Sequence, residues 1–221
     1  MNRYYFSLIL MTAIVATVLT FSCEKEDMTV SMTVSGTLEF GERYNDEFTK
    51  VVIVVREPTD MGGIIGFNRV ELARGTYTNG AFSIELPAKI DEKYLQSLFT
   101  EDMPPKFKVS DKKVKTGFFS ISISSFKDME DIPDTPGVGV GQIYKEYELI
   151  YAKSDDESTV EAMLYYADRK CSITGIIGDD VFSVNLKKGW NFLYETKTES
   201  INEYSTNPVS GMKWYVRYDF Y

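Results

Sequence analysis

Residues 160–186 read VEAMLYYADRKCSITGIIGDDVFSVNL, and they set the fold class. Three short runs rich in β-branched, aromatic and aliphatic residues, 160–167, 171–177 and 181–186, are separated by Asp168-Arg169 and by Gly178-Asp179-Asp180. Runs of this length between Gly/Asp breaks read as successive strands joined by turns, the last two forming a hairpin. Just upstream, IYKEYELIYAK (143–153) puts Tyr144 and Glu146 on one strand face and Tyr147, Leu149 and Tyr151 on the other. Just downstream, Lys187-Lys188-Gly189-Trp190-Asn191 leads into FLYET, with Gly189 permitting a bend and Trp190 packing over a sheet edge. MKWYVRYDFY (212–221) is a final strand.

The first half carries the same pattern. MTVSMTVSGTLEF (28–40) alternates, 41–47 is a polar turn, and TKVVIVVR (49–56) is β-branched almost throughout, as in a strand buried on both faces. The Gly-rich stretch 61–66 lacks the spacing and lysine of a phosphate-binding loop. Residues 69–76 form a further strand, Asn79-Gly80 a turn, and AFSIEL (81–86) alternates again. The period changes at 88–100, where Asp91 can cap and Tyr94, Leu95, Leu98 and Phe99 share a helical face stopped by Pro104-Pro105. Strands resume at 106–109 and 116–126. The expected architecture is mainly β: an antiparallel β-sandwich with one short helix, spanning 29–221. A split near 101–115 into two small β domains is the alternative.

Ahead of this domain stands an export segment. Arg3 precedes an uncharged apolar run, 6–19, which is short for a span that needs ~20 apolar residues. A basic residue, a short apolar core and small residues before a cleavage point make a secretory signal, residues 1–22. Thr20-Phe21-Ser22-Cys23 resembles the lipobox of bacterial lipoproteins, with Leu19 four residues before the cysteine where three is usual. The resemblance implies cleavage before Cys23 and attachment of lipid chains, including palmitate, to that residue. One acyl chain anchors only marginally, at ~0.8 kcal/mol per buried CH₂, whereas three hold a protein on the membrane. Glu24-Lys25-Glu26-Asp27 is similar to the acidic signal that sends Bacteroidetes lipoproteins to the outer face of the outer membrane. Residues 23–28 are then a lipidated acidic tether; the other readings are an ordinary secreted protein cleaved nearby with Cys23 a plain thiol, and a solvated tether that leaves the protein facing the periplasm.

Composition narrows the chemistry. Net charge is −9, so nothing draws the chain electrostatically to nucleic acid. There is no histidine, which excludes Ser-His-Asp and Cys-His catalysis and the usual zinc sites. With Cys23 lipidated, Cys171 has no disulfide partner and reads as a small buried hydrophobe. Any metal would need oxygen ligands, for which Asp128, Glu130, Asp131 and Asp134 in the loop 128–141 are calcium candidates without EF-hand spacing, beside the plainer reading of a solvated loop; no cofactor is expected.

SGTLEF, then VVIVV, then YTNGAFSIELP resembles the transthyretin-like or carboxypeptidase-regulatory-like sandwich. NGAFSIELP, YYADRKCSITG and FSVNLKKGWNFLYE together resemble a recurring part of uncharacterised Bacteroidetes lipoproteins, which implies an envelope location and carries no activity. The functional expectation is a membrane-anchored surface lipoprotein with a non-catalytic role, binding a glycan or protein. With 2 Trp, 15 Tyr and 14 Phe, ligand-facing aromatics are sought at Tyr144, Tyr147, Tyr151 and Trp190, with Tyr165 and Tyr166 beside them. A structural subunit of a surface assembly, or an adhesin-like protein offering its terminal strand, is the alternative. A carboxylate-based hydrolase is a third reading.

Overall fold

The structure is a computed structural model that describes residues 31–60, 65–98, 103–125, 146–154 and 159–217. It is mainly β, with one extended, strongly curled sheet and almost no helix.

The N-terminal part alternates as its sequence dictates. β1 (Met32–Thr37) pairs with β4 (Ala81–Leu86), whose Phe82, Ile84 and Leu86 point inward on strict alternation. β4 is hairpinned to β3 (Ile65–Thr78) through Asn79 and Gly80, both at positive φ (51° and 74°). This is the twist-matched two-residue turn that Asn-Gly favours. β3 pairs with β2 (Lys50–Asp60), where Val51, Val52 and Ile53 are all buried, and a register shift follows at Ile53/Val54. The polar stretch 41–47 forms a 3₁₀ turn, Gly41–Tyr44, that turns Tyr44 into the core against Phe48.

The helix expected over 88–100 is a single 3₁₀ turn, Glu92–Tyr94. Asp91 does cap it, accepting from the Lys93 N–H at 3.0 Å, but the chain then extends into β5 (Gln96–Ser97). The reason lies in packing: Leu95 enters one core and Leu98 another, whereas a helix would put them on one face. After β6 (Lys108–Val109), the single strand expected over 116–126 breaks at Ser120 into β7 (Lys115–Phe119) and β8 (Ile121–Ser124). The break lets β7 bond to β5, while β8 bonds to β2.

The rest is built around two strands buried on both faces. β9 (Glu146–Ser154) pairs with β8 and then with β10 (Thr159–Ala167), which also pairs with β7 and along its whole length with β13 (Gly189–Lys197). On β10, Leu164 and Tyr166 enter the larger core while Met163, Tyr165 and Ala167 face a second one. On β13, Trp190 and Leu193 divide the same way. A core on each face explains the apolar run AMLYYA, and GWNFLY, which Asn191 alone interrupts.

The expected hairpin of β11 (Cys171–Ile177) and β12 (Asp180–Leu186) is present, turned by Gly178-Asp179. Asp168-Arg169, by contrast, passes the chain between layers, because β10 bonds β13 while β11 bonds β12 and β6. β14 (Asn202–Ser205) inserts between β12, in parallel, and β13. The terminal strand, β15 (Lys213–Val216), closes the protein's own sheet. Leu149 pairs with Ile121 of β8 and with Val216, so β15 lies on the opposite edge of β9 from β8. Leu38, just beyond β1, bridges Trp214, and the Glu39 N–H donates to the Trp214 carbonyl at 2.8 Å. The strands β1, β4, β3, β2, β8, β9 and β15 thus form a closed ring. Pairing also continues across the 101–115 region, since β8 is bonded to β2 on one edge and β9 on the other.

Candidate functional site

The break at Ser120 and the register shift at Ile53/Val54 have a joint consequence. Up to Ile53, β2 lies bonded along β8. Beyond it, β2 follows β3 away while the chain at Ser120 swings toward β10, and a cleft of about 290 Å³ opens between them. Its lining is Val54, Arg56, Ser120, Ser122, Glu146 and Glu148. Period two places Glu146 and Glu148 on one face of β9, opposite Ser124 and Ser122 of β8.

The carboxylates are held in an ordered network. Glu148 accepts from the Ser120 hydroxyl at 2.6 Å and from Arg217 Nε at 2.7 Å. The same guanidinium donates to Glu161 at 2.7 Å, which ties β9, β10 and the end of the chain together. Burial works against the Arg217 charge, but Glu161 and Glu148 outweigh it and hold its pKa above the ordinary value. Glu146 is bonded by Arg69 at 3.4 Å, and Arg69 also reaches Glu71. Arg56, directly across from Arg69, is exposed and makes no ion pair with any described residue. On the far side of Ser120, Phe118 projects into solvent at 53% exposure beside Tyr165, ring centroids 6.2 Å apart. Tyr165 is itself pushed up in pKa by burial.

The aromatics expected to face a ligand take other positions. Trp190 is buried, donating its indole N–H to the Pro87 carbonyl at 2.7 Å and meeting Phe119 and Tyr166 edge-on. Gly189 adopts φ 94° ahead of it and the two lysines are exposed, so the bend forms as read while the indole goes inward. Tyr151 stacks on Trp214 at 4.8 Å, Tyr147 packs on Tyr44 and Phe48, and Tyr166 is core. Tyr144 lies outside the described residues, as do Cys23, the tetrapeptide Glu24, Lys25, Glu26, Asp27, and the acidic set Asp128, Glu130, Asp131, Asp134. Cys171 is buried in the second core, with Ser110 Oγ donating to its sulfur at 3.8 Å.

No protein-family model, curated protein or solved structure matches this chain. The cleft therefore stands on its own chemistry. It offers a guanidinium fork, two hydroxyls and two carboxylates within one concave surface, with an exposed ring alongside. Sequence reasoning passed over Arg56, Glu148, Glu161, Phe118 and Arg217, because the first four sit in strands without a motif that picks them out and Arg217 follows directly on β15. The pairing of β2 with β8, of β8 with β9, and of β10 with β9 and β7 brings their strands together.

Proposed function

We propose that this chain is an exported envelope lipoprotein, anchored through lipid on Cys23 to the outer membrane, that works by binding rather than by catalysis. The observation that carries it is the order Arg3, the uncharged run 6–19, Cys23 and the tetrapeptide 24–27, immediately ahead of a folded domain whose first described strand begins at Met32. The other cysteine, Cys171, is 2% exposed and sits in a core, which leaves Cys23 as the thiol for modification. The tether Glu24-Lys25-Glu26-Asp27 directs the domain to the cell exterior in this reading. A non-catalytic role fits the way Glu148 and Glu161 share Arg217: both carboxylates are engaged in an ion-pair network, not presented as an acid and a base on either side of a scissile bond.

Metabolic labelling with radioactive palmitate tests the anchor. Wild type takes up label and partitions with membranes, while Cys23→Ala does neither. Equal membrane association of the two proteins would overturn the lipid anchor. Protease shaving of intact cells tests the outward display, which fails if the domain survives until the outer membrane is opened.

A further inference from the structure

We infer that the cleft between β2 and the Ser120 break binds a neutral carbohydrate chain, with Arg56 and Glu146 grasping hydroxyls and Phe118 supplying a stacking platform. The inference rests on the binding role proposed above and gives it a ligand class.

Both signs of charge line the same cleft. Arg56 presents five N–H donors with no ionic partner among the described residues. Glu146 and Glu148 face it with carboxylate oxygens that retain acceptor capacity beyond their bonds to Arg69, Arg217 and Ser120. A phosphate or polycarboxylate entering toward Arg56 would meet those carboxylates, and a cationic ligand would meet Arg56 and Arg69. A neutral ligand bearing many hydroxyls, each both donor and acceptor, satisfies both walls at once. The Ser120 and Ser122 hydroxyls add shorter-range partners on the floor.

Phe118 settles the second half of the recognition. Its ring is more than half exposed although it stands in a strand, and it lies two residues from Ser120, which borders the cleft. A solvent-facing aromatic beside a polar cleft suits the apolar C–H face of a pyranose, whose hydroxyls then point along the cleft. An acidic or basic peptide would gain little from that arrangement.

The test uses the mature lipoprotein in detergent micelles on native gels cast with starch, dextran, xylan, mannan, laminarin or polygalacturonate. At least one of the five neutral polysaccharides is expected to retard migration. Phe118→Ala should weaken that retardation about 3- to 10-fold, and Arg56→Ala about tenfold. Phe118→Tyr should retain it. Both truncated side chains are exposed, so their unfolding midpoints should match wild type, and Lys187→Ala, outside the cleft, should bind normally. No retardation by any neutral polysaccharide, retardation by polygalacturonate alone, or full binding by both truncations would each overturn the proposal. Release of shortened sugar during the assay would sink the non-catalytic reading while leaving the cleft in place. Loss of lipidation in Cys23→Ala bears on the anchor alone.

Discussion

The two halves of the sheet end in opposite ways. The N-terminal half closes: Leu38, just beyond β1, bridges Trp214 of β15, and the Glu39 N–H bonds the Trp214 carbonyl. The C-terminal half runs out to β6, a strand of two residues carrying exposed Lys108, beyond which β11 continues with Ile176 and Ile177 exposed. Closure removes unpaired N–H and C=O groups outright, whereas a short, lysine-bearing edge only discourages further pairing. Their cores differ accordingly. The closed half concentrates Tyr44, Phe48, Tyr77, Phe82, Phe119 and Trp214 in one cluster, and the open half relies on smaller aliphatics such as Val114, Ile173, Val184 and Leu186.

The closure itself is the place to break this contrast. Trp214 stacks on Tyr151 and meets Phe82 edge-on, so Trp214→Ala should cost about 3–5 kcal/mol in denaturant unfolding. A loss under about 1 kcal/mol would mean the ring is not held by its aromatic seam. Gly36 probes the same seam from the other side, because a methyl there would run into the Trp214 indole. Gly36→Ala should therefore destabilise by about 1–3 kcal/mol, and a Trp214→Ala background should relieve most of that cost.

Smaller effects sharpen the comparison. Arg217 joins β9 and β10 at the border of the halves, and Arg217→Ala should cost about 1–2 kcal/mol by leaving Glu148 and Glu161 facing each other. A double change with Glu148→Gln and Glu161→Gln should recover part of it. Tyr77, in the closed half, donates to the Gly41 carbonyl, and burial first, then Glu42, raises its pKa from 10.0 to about 12. The folded state thus holds the proton more tightly than the unfolded chain. Its contribution is complete below pH 10 and declines as pH rises from 10 to 12. Unfolding free energy should fall across that window, and less steeply in Tyr77→Phe. At the open edge, Lys108→Val should change stability by no more than about 0.5 kcal/mol. It should nevertheless promote self-association in sedimentation velocity, and an unchanged monomer would show that β6 needs no charge to stay unpaired.

Much of this was legible in the chain. Alternation placed β4 and β1, the β-branched run placed the doubly buried segment of β2, and Asn79-Gly80 and Gly178-Asp179 placed two hairpins. Residues 88–100 misled because Tyr94, Leu95 and Leu98 have helical spacing, yet Leu95 and Leu98 serve different cores. The four residues of β14 carry too weak a pattern to announce a strand, and their place beside β12 depends on a parallel pairing, such as Asp180 with Asn202, that local sequence does not show. Tyr147, Tyr151 and Trp190 could be sought as ligand-facing beside the plainer packed reading, since period two separates faces without saying which face is wet.

By itself, then, the sequence determined where the backbone extends, where it turns and which side chains are apolar, because these follow from local sterics and periodicity. It also set the absence of histidine chemistry, which is a matter of composition. Tertiary structure alone decided that β10 and β13 stand between two cores, that β15 closes onto Leu38, and that Arg56, Glu146 and Glu148 line one cleft. Those outcomes rest on pairings between residues far apart in the chain, each chosen by the burial it allows on both of its faces, and no local pattern encodes that choice.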